Sequence, residues 1–344
     1  MEGVMTISDQ PKERYVSIEY LNSSNEYLQP QAPPFHAEEI PAAQSSNPMK
    51  VEMDAHETAI AKKQLQTKII MEALGATPFV MDKEKVGMVL NQTGVSKQEL
   101  LQELIPIAKQ FARPPISDYK VGAALLGKSG SIYLGVNLEF PGFHLNQTIH
   151  GEQFAVIFAR LNGETEIEAI ALSAAPCGHC RQFLNELGKD LDILTPNKPP
   201  RKLSELLPDA FGPKDLGLEG NLLTPGLGFR SNHPDRLVAM AIEAYRTSYA
   251  PYSKSRSGLA LQTHEGKIYV GHYLENAAFN PTVSPLQSAL VALVADKRGY
   301  DDIATVILAE NPPPQKTSHI HLTRELLKRI APQATFLFYC NQQN

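Results

Sequence analysis

Cysteine is scarce in this chain. Only Cys177, Cys180 and Cys340 occur in 344 residues, an odd number with one C-x-x-C pair. That excludes a disulfide framework and points to a metal or redox pair in a reducing compartment, for which the cytoplasm is the simplest address. No run of about 18 apolar residues occurs, so no membrane span is expected. The opening "MEGVMTISDQPKERYVSIEY" has no apolar signal core, and the first sixty or so residues hold more acid than base, the opposite of an organelle transit peptide. The net charge is −5 and no basic block is present, which argues against nucleic acid as the main partner.

What is present fits two domains plus extra segments, since the chain exceeds one average core. Residues 1–60, with "QPQAPPFHAEEIPAAQSSNP", lack a periodic apolar face and read as a disordered polar tail. Residues 61–187 hold helical segments and then a first domain. In "SKQELLQELIPIAKQFA" apolar residues recur three and four apart after Ser96, a predicted N-cap. "YKVGAALLG" and "SIYLGVNLEF" read as strands joined by a turn at "KSGS". A helix is expected from His150 through "EQFAVIFARL", a buried strand at "IEAIALSAA" and another helix at "GHCRQFLNEL". Strands alternating with helices make this an α/β unit. Residues 188–230, rich in Pro and Gly, read as an interdomain linker, and 231–344 as a second domain.

The chain repeats itself. "PISDYKVGAALLGKSGSIYLGVNLEF" at 115–140 matches "PYSKSRSGLALQTHEGKIYVGHYLEN" at 251–276 without a gap. Pro115 meets Pro251, Gly122 meets Gly258, Gly135 meets Gly271, and Glu139 meets Glu275. With a two-residue deletion His150 falls opposite Ser284, Glu152 opposite Leu286, and Gln153 opposite Gln287. Nothing in the second copy matches "PCGHC". One copy is equipped for chemistry, and the other is degenerate.

His150, Cys177 and Cys180 make one of the sets that hold zinc with an open fourth position. A C-x-x-C at a helix start lets both thiolates reach one ion, and the helix N-terminus lowers their pKa. Glu152 lies two residues from His150, a spacing that sets it beside the metal rather than on it. Two thiolates cancel the charge of the ion, so a carboxylate must take the proton of an attacking water. Glu152 fits that role.

"H-x-E … P-C-x-x-C" is the signature of the zinc-dependent nucleoside and nucleobase deaminases. "GVNLEF", "APCGHCRQFLNE" and "LLPDAFGPKDL" narrow the likeness. From about residue 80 onward the chain resembles the two-domain, dimeric cytidine deaminases of bacteria and plants. The resemblance implies a three-layer α/β/α sandwich with a mixed sheet, duplicated in tandem. It also implies one zinc per chain on His150, Cys177 and Cys180, activating a water that attacks C4 of cytidine or deoxycytidine, with Glu152 shuttling the protons. Asn137 and Glu139 would then bind the ribose and Tyr119 would pack on the pyrimidine. The backbone of Gly151, Ala175 and Cys177 would read the base edge, and Phe211 would reach the partner's site in a homodimer.

Two positions depart from the family pattern. Gly151 stands where Ala is usual, which costs about 1 kcal/mol of helix stability but keeps a backbone N–H. Tyr119-Lys120 stands where Phe-Asn is common, and the added hydroxyl needs a partner. Rival readings are a structural zinc site, with His144 or His179 as fourth ligand, a polynucleotide cytosine deaminase, and a catalytically impaired paralogue that binds nucleosides or a protein. The first leaves Glu152 without a role, and the second lacks a basic channel. Arg181 reads equally as a surface charge or as a neutraliser of the thiolates, and Cys340, in "ATFLFYC", as an inert buried thiol.

Overall fold

The computed structural model describes residues 48–76, 78–224 and 230–340. Most of the expected tail therefore lies outside the described residues, and a helix, α1 (Pro48–Leu74), begins inside the range assigned to it. Its last turns bury Ile70, Ala73 and Leu74. Strand β1 (Val80–Met81) and helix α2 (Lys83–Thr93) follow, then α3 (Lys97–Lys109). Ser96 and Glu99 close a reciprocal capping box at the start of α3: the Ser96 N–H donates to Glu99 Oε2 at 2.7 Å, and the Glu99 N–H donates to Ser96 Oγ at 3.2 Å.

The first copy continues through β2 (Gly122–Gly127), β3 (Ile132–Val136), α4 (Gly151–Leu161), β4 (Ile167–Leu172), α5 (Gly178–Asn185) and β5 (Asp192–Leu194). Two short pieces follow, β6 (Arg201–Lys202) and α6 (Leu203–Leu206). The sheet order is β1-β3-β2-β4-β5-β6, with β4 and β5 parallel and the other neighbours antiparallel. The second copy runs α7 (Arg236–Arg246), β7 (Ser257–Thr263), β8 (Ile268–His272), α8 (Pro285–Ala295), β9 (Ile303–Glu310), α9 (Ile320–Ile330) and β10 (Thr335–Cys340). Its sheet order is β10-β9-β7-β8, again with one parallel pair, β9 and β10.

The duplication extends to irregularities. A register shift falls at Leu126/Gly127 in one copy and at Gln262/Thr263 in the other. Isolated bridges Leu138–Ile149 and Leu274–Val283 occupy matching places. In both copies two glycines on paired strands admit helices to opposite faces. A Cβ on Gly122 would lie 2.7 Å from the Ile105 carbonyl of α3, and one on Gly135 would lie 2.1 Å from the Gly151 carbonyl of α4. Gly258 and Gly271 make the same close approaches to α7 and α8. Only a residue without a side chain fits there.

Of the range 188–230, residues 225–229 lie outside the described residues, and 188–224 hold further elements of the first copy. β5 and β6 extend the first sheet, and Leu191, Ile193, Leu194, Leu203, Leu206, Leu222 and Leu223 join the main core. The copies do not have separate interiors either: α4 packs on α8, and one buried cluster takes in Phe154 and Ile157 together with Leu286, Leu290 and Val294. Each such fully buried apolar side chain contributes about 1.5–3 kcal/mol. Cys340 is half-buried, on the edge strand β10, where only one neighbour covers it. Among the described residues no helix is long and apolar enough to cross a membrane.

Candidate metal centre and active site

Two helix starts meet. His150 is the N-cap of α4, and Cys177 is the N-cap of α5, with Cys180 in that helix's first turn. His150 Nδ1 lies 3.5 Å from Cys177 Sγ and 3.3 Å from Cys180 Sγ, and the three donor atoms all fall within 4.8 Å of one another. Ligands held by a tetrahedral zinc stand about 3.5 Å apart, so the spacing and the S, S, N donor set fit that ion. Among the described residues no other group of His, Cys, Asp and Glu gathers so closely. His179 does not supply a fourth ligand; its ring stacks on that of His150, with centroids 5.0 Å apart.

The electrostatics suit cation binding. A hydrogen bond from Cys180, and then His150, push the Cys177 thiol down to about 3, so it is a thiolate at neutral pH. The negative sulfur of Cys177 and burial raise the pKa of Cys180 in turn, so without a cation the two sulfurs hold a single charge. Cys177, set against burial, also raises the pKa of His150. A divalent cation removes the conflict by taking both thiolates and a neutral imidazole.

Beside the triad a pocket of about 320 Å³ opens, lined by Tyr119, Asn137, Glu139, Gly151, Glu152 and Ala175, among others. Glu152 is buried, and desolvation raises its carboxyl pKa although His150 and the Cys180 thiol pull it back. A carboxyl whose pKa is raised holds a proton more readily than an ordinary one. Asn137 is buried and holds the loop above: its Oδ1 accepts the Val121 N–H at 2.9 Å, and its Nδ2 donates to the Tyr119 carbonyl at 2.9 Å. Glu139 accepts the N–H groups of Ile116 and Ser117, both at 2.9 Å, and the Ser117 hydroxyl at 2.6 Å. Partial burial works to raise the Glu139 pKa, but these bonds outweigh it and hold the carboxyl below its ordinary value. The Tyr119 ring is exposed at the pocket mouth.

A family model described as "Cytidine and deoxycytidylate deaminase zinc-binding region" matches residues 95–194, and a second of the same description matches 203–324. The chain is 42% identical over 247 residues to the cytidine deaminase of Vibrio vulnificus, covering 71% of this chain and 83% of that one. It is 46% identical over 236 residues to that of Yersinia pestis, covering 68% and 80%. This chain belongs to the cytidine deaminases. A solved cytidine deaminase from Mycobacterium tuberculosis, 35% identical, aligns over 34% of this chain and 99% of its own with a TM-score of 0.31.

Within this family member, two site expectations from the sequence stand apart from the pocket. Phe211 does not line it; its ring is exposed, and its carbonyl accepts from Gln182 Nε2 at 2.8 Å and Asn185 Nδ2 at 3.1 Å. Arg181 is half-buried. Its Nε donates to the Pro176 carbonyl at 2.9 Å and a terminal nitrogen to the Leu206 carbonyl at 2.8 Å, which pins the backbone just before Cys177. A cavity of about 350 Å³ around Lys189, Ser204 and Lys214 contains none of the triad. Gln153 also serves the site, since its Oε1 accepts the His150 N–H at 3.1 Å. Its pairing with Gln287 across the repeat was the available signal.

Proposed function

We propose that this chain hydrolyses cytidine and deoxycytidine to uridine and deoxyuridine with release of ammonia, using the pocket of the first copy. The observation that carries the reading is a buried carboxyl, Glu152, lining the same pocket as a three-ligand metal set. His150, Cys177 and Cys180 would hold a zinc ion, which would supply a Lewis acid to acidify a water. Glu152 takes one proton from that water and delivers it to N3 of the ring as the C4–O bond forms. It then carries the second proton to the exocyclic nitrogen, which leaves as ammonia when the C4–N bond breaks. One carboxyl serves each transfer, which its depth in the pocket favours by excluding bulk water.

The other groups orient the nucleoside. Asn137 and Glu139 face the pocket with hydrogen-bonding capacity beyond their loop contacts, suited to ribose hydroxyls. Tyr119 offers a ring to the pyrimidine, while the backbone of Gly151, Ala175 and Cys177 reads the base edge. The working unit is a homodimer in the cytoplasm, with Phe211 reaching the partner's site. The exposed ring of Phe211 and the lone C-x-x-C pair support that reading. The impaired-paralogue alternative loses its ground when ligands, Glu152 and pocket occur together.

Loss of cytidine absorbance with purified protein tests the function. Activity that a zinc chelator abolishes and added zinc restores is expected. A protein that contains zinc yet leaves cytidine intact would reject it. Light scattering should give twice the chain mass.

A further inference from the structure

Gln153 and Gln287 stand at matching positions near the starts of α4 and α8, and each bonds to the other copy. Gln153 Oε1 accepts the His150 N–H at 3.1 Å, and its Nε2 donates to the Pro281 carbonyl at 3.4 Å. Gln287 Oε1 accepts the Ser284 N–H at 2.8 Å, and its Nε2 donates to the Gln147 carbonyl at 2.9 Å. Both side chains are buried. The Gln287 amide has a donor at one end and an acceptor at the other, so its orientation is fixed; a flipped amide would face donor to donor.

Gln147 lies three residues before the metal ligand, and Thr148 and Ile149 between them line the pocket. The Ile149 backbone exchanges two bonds with Leu138, both 2.9 Å. The segment leading into His150 is thus anchored at Gln147, Ile149 and His150, and the first of these anchors belongs to the copy that has lost every ligand. That copy changed His to Ser284 and Glu to Leu286, yet kept the glutamine. Capping α8 does not require the outward bond, since Ser284 Oγ already accepts the Gln287 N–H at 3.2 Å.

We infer that Gln287 is a positioning residue for the zinc ligand His150, acting through the Gln147 carbonyl. This gives the second copy a direct part in the metal site of the first. The inference rests on His150 being a zinc ligand, as read under Proposed function. Without the bond, a partly buried carbonyl loses its donor and the lead-in to His150 gains freedom, which speeds loss of the ion. Partners that orient metal ligands typically change metal affinity by about 10–100-fold when removed.

The test compares full-length, zinc-loaded variants by the rate at which zinc passes to a chromogenic chelator, well below each variant's Tm. Gln287→Met, of similar length and with no titratable proton, is the main variant; Gln287→Glu, while ionised, keeps an acceptor for the Ser284 N–H but cannot donate to Gln147, and is the second variant should the first not fold. Ser284→Ala weakens the same helix cap while leaving the Gln147 bond. Both Gln287 variants should release zinc about tenfold faster than wild type, and Ser284→Ala should lower Tm with release unchanged. Wild-type release rates in the folded Gln287 variants, or equal acceleration by Ser284→Ala, would overturn the inference alone. A wild-type protein that binds no zinc would overturn the metal-centre reading instead.

Discussion

Where the first copy places Val121, Asn137 and Ala174 around an open pocket, the second places Ser257 of β7, Tyr273 just after β8 and Glu310 of β9 at the matching positions. These larger or more polar groups close on one another. The Tyr273 ring lies 4.3 Å from that of His319, the His319 N–H donates to Glu310 Oε1 at 2.7 Å, and the Ser257 hydroxyl donates to the same oxygen at 3.2 Å. The second copy has thus filled its pocket with a buried polar network while preserving its backbone. Glu275 was retained: it accepts the Tyr252 N–H at 2.7 Å and the Ser253 N–H at 3.2 Å, the same task Glu139 performs for Ile116 and Ser117. A carboxylate kept in a copy without a metal site is kept for its turn. The comparison therefore separates a carboxylate that both copies keep for a turn, Glu139 and Glu275, from one that the first copy alone carries, Glu152, to which we assign the proton transfers.

Glu152 against Leu286 gives the largest contrast. Glu152→Gln should retain zinc and lower kcat by at least about 10²–10⁴-fold, since an amide cannot cycle protons. Leu286→Ala should leave kcat of the folded protein near wild type while costing about 2–5 kcal/mol through a core cavity. Steady-state kinetics beside denaturant unfolding separates the two, and comparable kcat losses would erase the distinction between copies.

Glu139 and Glu275 sharpen it. Changing either to Gln turns an amide donor toward backbone N–H groups and should cost about 1–3 kcal/mol of stability. Glu139→Gln should also raise KM for cytidine, whereas Glu275→Gln should not. If both leave KM alone, Glu139 serves only its turn.

The smallest effect is expected at Gly151. Ala there gains about 1 kcal/mol of helix propensity, but its Cβ would meet Val121 Cγ1 at 2.9 Å and must displace it. A Tm shift of only a few degrees with unchanged kcat is expected, because the proposed role of Gly151 is its backbone N–H. A large kcat change would mean that the crowding is transmitted to the pocket.

Much of this was legible in the chain itself. The gapless repeat exposed the duplication because the close-approach glycines admit no other residue, and His150, Glu152, Cys177 and Cys180 stood out because metal and proton chemistry use few residue types. Residues 188–230 were not legible as part of the first sheet: strands of two or three residues amid "TPNKPP" are too short to show a period. Cys340 looked buried because "ATFLFYC" is apolar, but an edge strand leaves even Leu337 and Phe338 exposed. The crossing bonds of Gln153 and Gln287 depend on how α4 meets α8, and no local pattern carries that. The backbone partners of Arg181 were hidden for the same reason, since the carbonyls of Pro176 and Leu206 lie on either side of the helix that bears it.

The first copy alone is expected to hold a metal. Elemental analysis of the wild-type protein and of a Cys177→Ala/Cys180→Ala double variant, with Cys340→Ala as control, tests it most directly. One zinc per chain is expected in the wild type and the control, and none in the double variant. Two zinc ions per wild-type chain, or zinc retained by the double variant, would contradict it.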